Sequence, residues 1–343
     1  MTTRRRFLAS ALAAPFIGCA YPALSQAAAK IVIAQPSAGF NYLPVYVARG
    51  MGLFRQEGLD VDAVVFERGA SAALTAVLGG EASVYVGLPA VPLQARAKGQ
   101  KTRIFGALYD QWGSEIVLSG EAAARAGLKP SMSNNEKAAV LRGLKIAVAG
   151  AGSITDLLVR HVAKFGGLDP ERDVTIIPIG GGANMLAAFA QGKIDGYSLS
   201  SPTSTVGMAT MGGANLFDFS RGEYEPLRGL LYTAVSARDE WLGAEGETAQ
   251  RLLRALWRAQ IAMRVRPEEA KASITESFSK IDKRVIDRAW DAIMPGFGAS
   301  LAVEPNGIAR NYDFLRTVRG ETATSPIPDT YTNAIVEAVQ PTL

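Results

Sequence analysis

Leu144-Lys145-Ile146-Ala147-Val148-Ala149-Gly150-Ala151-Gly152-Ser153-Ile154-Thr155-Asp156 is the stretch that decides the fold class. Its first six residues, apolar except for Lys145, form a run of strand length. Its last residues open a helix that the pattern carries from Ile154 to Phe165. Two glycines make the turn between them, and Ser153 with Asp156 three positions on has the spacing of a capping box. A strand passed to a helix through a glycine loop is half of a βαβ unit.

The same alternation extends in both directions. Downstream come a strand at Val174 to Ile179, a helix at Ala183 to Gln191 and a strand at Ile194 to Leu199. Upstream, strands are expected at Lys30 to Gln35, Val61 to Phe66, Ala82 to Gly87 and Thr102 to Tyr109. Helices lie between them, from near Tyr42, at Ala70 to Leu78 and from about Pro92 to Lys98. A Ser/Asn-rich loop, Pro130 to Asn135, separates the two sets. A strand at Leu230 to Val235 follows, and the remainder is helical. Leu252, Leu253, Leu256, Trp257 and Ile261 mark one face of a helix over Thr248 to Met263, and Pro267 with Glu268 and Glu269 opens another. The expectation is two α/β lobes around a cleft. The first comprises 28–112 with 230–343, its trailing helices packed back onto it, and the second comprises 113–229.

Composition agrees with this. The chain has 343 residues, enough for about two domains, with 48% apolar and 20% charged residues, so a sizeable core is available. Its 36 basic and 32 acidic side chains give a formal charge of +4. Arg4, Arg5 and Arg6 sit in a first segment, 1–27, that has no other charge; removing these three from 36 leaves 33 against 32, or +1. The basic excess is therefore an address and no sign of a nucleic-acid partner. Thr3-Arg4-Arg5-Arg6-Phe7-Leu8, the short apolar run to Ala20 and the small residues near Ala27 form an export signal of twin-arginine type. Phe16-Ile17-Gly18-Cys19 is similar to a lipobox, so a lipid anchor at Cys19 is the alternative to its removal with the signal. The single cysteine excludes an internal disulfide, and the single histidine, His161, argues against a zinc site. No metal or cofactor is expected.

Open parallel sheets bind ligands beyond the carboxyl ends of their strands. The loops there are 35–42, 68–71, 87–90, 150–155, 180–184 and 198–202, small, polar and mostly uncharged. Gly150, Gly152, Ser153 and Thr155 could present backbone N–H groups and hydroxyls to an anion at a helix N-terminus; an ordinary cap is the alternative. Gly180 to Gly182 lacks the spacing of a dinucleotide fingerprint. Phe40, Tyr42, Tyr109, Trp112 and Tyr197 lie near strand ends and could line a cleft, whereas Tyr46 reads as core. His161 reads as a packed helix residue, and no Ser/His/Asp order supports nucleophilic catalysis.

Taken together, Asn41-Tyr42-Leu43-Pro44-Val45-Tyr46-Val47-Ala48, Gly52-Leu53-Phe54-Arg55-Gln56-Glu57-Gly58-Leu59-Asp60-Val61, Leu141-Arg142-Gly143-Leu144-Lys145-Ile146-Ala147-Val148 and Ala187-Ala188-Phe189-Ala190-Gln191-Gly192-Lys193-Ile194-Asp195-Gly196 resemble a known family. So do Leu253 to Gln260 and Arg266-Pro267-Glu268-Glu269-Ala270. The family is the periplasmic substrate-binding proteins of nitrate/sulfonate/taurine ABC importers, which includes binders of thiamine-pyrimidine precursors. The resemblance implies a type II periplasmic binding protein fold, a monomer that closes on one small ligand in the periplasm, a permease partner and no catalysis. It places cleft contacts at Phe40, Asn41, Tyr42, Ser71, Leu88, Gly152, Ser153, Thr155, Ser198 and Ser200, to which the aromatic reading adds Tyr109. Gly196 departs from the alanine common after the Asp. The loops also show no arginine that demands a charged partner, which leaves a heterocyclic ligand open beside sulfonate or nitrate. An enzyme like the pyrimidine-synthesising relatives, which rely on a histidine and a cysteine-rich motif, is one alternative, against which stand the single mid-helix histidine and the absence of cysteine beyond the signal. A sensor subunit is the other alternative.

Overall fold

The computed structural model describes residues 28–66 and 69–340; the expected export signal, Cys19 and Arg68 lie outside the described residues. Among the described residues ten strands form two sheets. In chain order they are β1 (Ala29–Gln35), β2 (Leu59–Val65), β3 (Val84–Gly87), β4 (Thr102–Tyr109), β5 (Ser114–Leu118), β6 (Lys145–Val148), β7 (Thr175–Pro178), β8 (Gly196–Ser200), β9 (Ala214–Asn215) and β10 (Thr233–Arg238). One sheet has the order β2-β1-β3-β10-β4 and the other β7-β6-β8-β5-β9. In the first, β1 runs parallel to β2 and β3, and β10 enters antiparallel between β3 and β4. The second repeats this plan, with β6 parallel to β7 and β8 and β5 antiparallel to β8.

The burial of each strand follows from its position. Central strands β3 and β5 are buried throughout because helices cover both faces. Edge strand β2 alternates, with Leu59 inside and Asp60 and Asp62 exposed, and its charges protect the open edge. The chain crosses from the first sheet to the second between β4 and β5 and returns between β9 and β10.

Several expectations are corrected. β5 and β9 escaped the pattern: β5 carries a buried glutamate among its apolar residues, and β9 has only two residues. β10 begins at Thr233 and not at Leu230. Within the loop expected at Pro130 to Asn135 a helix starts, Asn134–Ala139, through a reciprocal capping box: Ser133 N–H donates to Glu136, and Glu136 N–H donates to Ser133 Oγ.

The trailing helices do more than cover the first sheet. Gly246–Val265 buries Leu252, Leu253, Leu256, Ala259 and Met263, while Trp257 and Ile261 are only partly covered. Pro305–Arg319 bridges the two halves. Ile308 and Tyr312 pack with Leu93 and Ile104 of the first lobe. On its other side the Phe314 ring lies 4.8 Å from Trp112 and 5.4 Å from His161. Lys164 Nζ of the second lobe donates to Thr317 O at 2.9 Å.

Candidate functional site

A cavity of about 350 Å³ lies between the two sheets, where the strand ends face one another. Pro36 and Ser37 follow β1, Gly69 to Ser71 open the helix Ala70–Leu78, and Leu88 follows β3. From the other lobe, Ala149 to Thr155 follow β6, and Leu199 and Ser200 end β8.

The 150–155 loop is built as an N-terminus with its donors facing outward. Ser153 caps the helix Ile154–Phe165, its Oγ accepting from Asp156 N–H at 3.3 Å. The Asp156 carboxylate reaches one residue further back than a strict capping box requires, accepting from Gly152 N–H at 2.6 Å and from Arg160 Nε at 2.8 Å. Gly152 has φ +72, the left-handed conformation that glycine tolerates. Thr155 Oγ1 accepts from Ala149 N–H at 3.0 Å and so pins the loop to the end of β6. Ile154 and Thr155 N–H find no acceptor among the described residues, as the geometry of a helix start dictates.

Hydroxyls form the floor. Tyr232 Oη lies 2.7 Å from Ser114 Oγ, which lies 3.1 Å from Ser200 Oγ. Tyr42, Tyr85 and Tyr232 all line the cavity, and burial raises each phenol above its ordinary pKa, so all three remain neutral donors.

Of the residues expected at the site, Tyr42, Ser71, Leu88, Gly152, Ser153, Thr155 and Ser200 line the cavity. Phe40, Asn41, Tyr109 and Ser198 do not. Phe40 turns into the core with its ring 5.0 Å from Phe278, and its N–H donates to Ser201 O across the lobes at 2.9 Å. Asn41 Nδ2 donates to Thr233 Oγ1 at 3.1 Å, fastening the loop to β10. Tyr109 packs edge-on to Phe297 at 4.9 Å. Ser198 sits opposite Ile116, one pleat deeper in β8 than Ser200, and is fully buried. Trp112 and Tyr197 are likewise core, Tyr197 donating to Thr203 O at 2.9 Å. His161 is buried with Nδ1 3.0 Å from Tyr224 Oη, and burial lowers its pKa to about 4, so it is a neutral packing residue.

The sequence reading missed Tyr85, Ser114 and Tyr232, which are mid-strand or hinge residues, and above all Gln94 and Arg319. Arg319 ends the bridging helix and is the one charged side chain of the lining among the described residues. Its Nη2 donates to Gly152 O at 3.2 Å. Its Nη1 is 3.8 Å from Glu321, whose other oxygen accepts from Gln94 Nε2 at 2.5 Å. A basic residue in a helix's last turn is ordinarily a cap, which hid its role. Among the described residues no His/Cys/Asp/Glu group could hold a metal ion, and no helix is long and apolar enough to cross a membrane.

Two α/β lobes with a cavity at their facing strand ends define a type II periplasmic binding protein fold. The chain shares it with the nitrate-binding protein NrtA of Synechocystis PCC 6803 (TM-score 0.70, 16% identity, 92% of this chain and 89% of that one). It also shares it with the aliphatic sulphonate binding protein SsuA of Escherichia coli (TM-score 0.68, 18% identity, 88% and 97%). A solved protein of Bordetella bronchiseptica RB50 superposes at TM-score 0.77 with 26% identity over 92% of this chain and 98% of that one. The chain belongs to the NMT1-like family, whose model matches residues 38–277. YtlA of Bacillus subtilis (strain 168) is 23% identical over 302 residues, 87% of this chain and 84% of YtlA.

Proposed function

We propose that this protein is the extracytoplasmic solute-binding subunit of an ABC importer. Residues 28–112 with 230–343 form one lobe and 113–229 the other, after an export signal at 1–27. The observation that carries this reading is that both lobes contribute the cavity wall, Ser71 and Tyr42 from one and Ser153 and Ser200 from the other. A ligand held by both walls binds the closed arrangement more tightly than the open one and shifts the population toward it. A permease in the inner membrane then recognises the closed monomer. The ligand is a small organic molecule or anion, sulfonate-, taurine- or nitrate-like or heterocyclic. The names of the E. coli and Synechocystis relatives support the first group, and the three tyrosines suit a planar component. In this reading the protein captures its ligand and hands it over unchanged.

Thermal unfolding of the mature protein against a panel of sulfonates, taurine, nitrate, pyrimidines and flavins tests this. At least one member should raise Tm and shrink the radius of gyration by X-ray scattering. A panel with neither effect rejects solute capture by lobe closure.

A further inference from the structure

Arg319 lies in the cavity wall, and its chemistry bears on the charge of the ligand if the solute-binding reading above holds. Among the described residues Arg319 brings a full positive charge to a wall otherwise made of hydroxyls, amides, phenols and apolar groups. A guanidinium has five N–H donors in a planar fork. Here Nη2 donates to a neutral carbonyl, Gly152 O, and Nη1 forms a long ion pair, 3.8 Å, with Glu321, whose other oxygen is engaged by Gln94. Asp156 is the carboxylate whose backbone belongs to the helix that the 150–155 loop opens. It is buried and faces away from the cavity, its oxygens taken by Gly152 N–H and Arg160. Among the described residues no acidic side chain lines the cavity to attract an amine.

We propose that Arg319 is the specificity-determining residue of this site, and that it selects an organic monoanion whose charged group sits at the mouth while its planar body faces Tyr42, Tyr85 and Tyr232. A carboxylate or sulfonate matches the guanidinium fork with two parallel hydrogen bonds, whereas a neutral isostere forgoes that charge pairing and an amine is repelled. The position adds a second consequence. Arg319 stands on the bridging helix, and the Gly152 loop stands on the second lobe, next to the free Ile154 and Thr155 N–H groups. An anion between them is held from both sides, so the residue that reads charge also fastens the closed state.

Titration calorimetry on the dialysed mature protein with benzenesulfonate, benzoate, benzenesulfonamide, benzamide and benzylamine tests the assignment. Wild type should bind the two anions about tenfold to a hundredfold more tightly than their amides, and benzylamine most weakly, with anion affinity falling as salt rises. Arg319→Gln should bring anion and amide within about twofold and remove the salt dependence, while Arg319→Lys should keep a reduced preference. Amide binding by Arg319→Gln reports that the variant is folded. Equal binding of anions and amides by wild type, or an anion preference that survives in Arg319→Gln, overturns the role of Arg319 and leaves solute capture standing. Failure of all five probes, when the wider panel still gives a thermal shift, overturns the planar-monoanion class alone; failure of both overturns the solute-binding reading itself.

Discussion

Tyr232 and Ser114 meet with their hydroxyl oxygens 2.7 Å apart, one residue on the chain segment returning to the first sheet and the other at the start of β5 in the second. The contact lies at the hinge and in the floor of the cavity at once, and it continues to Ser200 at 3.1 Å. One chain of hydroxyls therefore links the crossover between the sheets to the cavity floor. Tyr232→Phe removes its first member while Ser114 and Ser200 keep each other. The expected cost is about 1 kcal/mol, the usual net worth of one hydrogen bond, read from urea unfolding.

Gly196 has a structural explanation. A Cβ at this position would lie 2.6 Å from Val117 O and 2.8 Å from Leu118 Cδ2, because β8 is clamped between β6 and β5. Gly196→Ala should destabilise the protein by about 1–3 kcal/mol, as overpacking does, and lower Tm.

The two loop glycines should behave differently. Neither Gly150 nor Gly152 would bring a Cβ within 4 Å of anything, but only Gly152 has positive φ. Gly152→Ala is expected to cost about 1–2 kcal/mol from backbone conformation alone, and Gly150→Ala close to nothing. Paired thermal melts of the two variants check this.

Two buried groups give opposing pH dependences. Burial raises the Glu115 carboxyl from 4.5 to about 8, outweighing its bonds from Asn215 and Ser220. Between those values the folded state holds a proton that the unfolded state has released, so stability falls as pH rises from 4.5 to 8, by up to about 1.4 kcal/mol per unit. Glu115→Gln should flatten that fall.

His161 acts in the other direction. Its pKa drops from 6.5 to about 4 on folding, so the unfolded chain takes up the proton first and stability is lost as pH falls from 6.5 to 4. His161→Gln should abolish that loss. Urea midpoints of both variants and wild type at pH 4, 5, 6.5 and 8 separate the two contributions.

Much of the fold was legible because the cues are local. Val174 to Ile179 and Lys30 to Gln35 are apolar runs bounded by loops, and both are strands within a residue or two. The 150–155 loop could be read because glycine spacing and a capping serine act over a few residues. The cap's true partner could not: Asp156 reaches Gly152 and not Ser153, a choice made by the left-handed turn at Gly152. Phe40 and Tyr42 look equivalent in sequence, yet the short turn they share sends one ring to Phe278 and the other to the cavity.

By itself, then, the sequence determined two successive α/β units, the near neutrality of the chain beyond residue 27 and a set of small polar strand-end loops, since periodicity, charge count and turn chemistry need only neighbouring residues. Tertiary structure alone decided which of those loops share a cavity, that Ser114 and Tyr232 floor it, and that Arg319, 167 residues from Gly152, closes its mouth. Contacts of that range are set by how helix 305–319 packs between the lobes, and no local pattern along the chain encodes that packing.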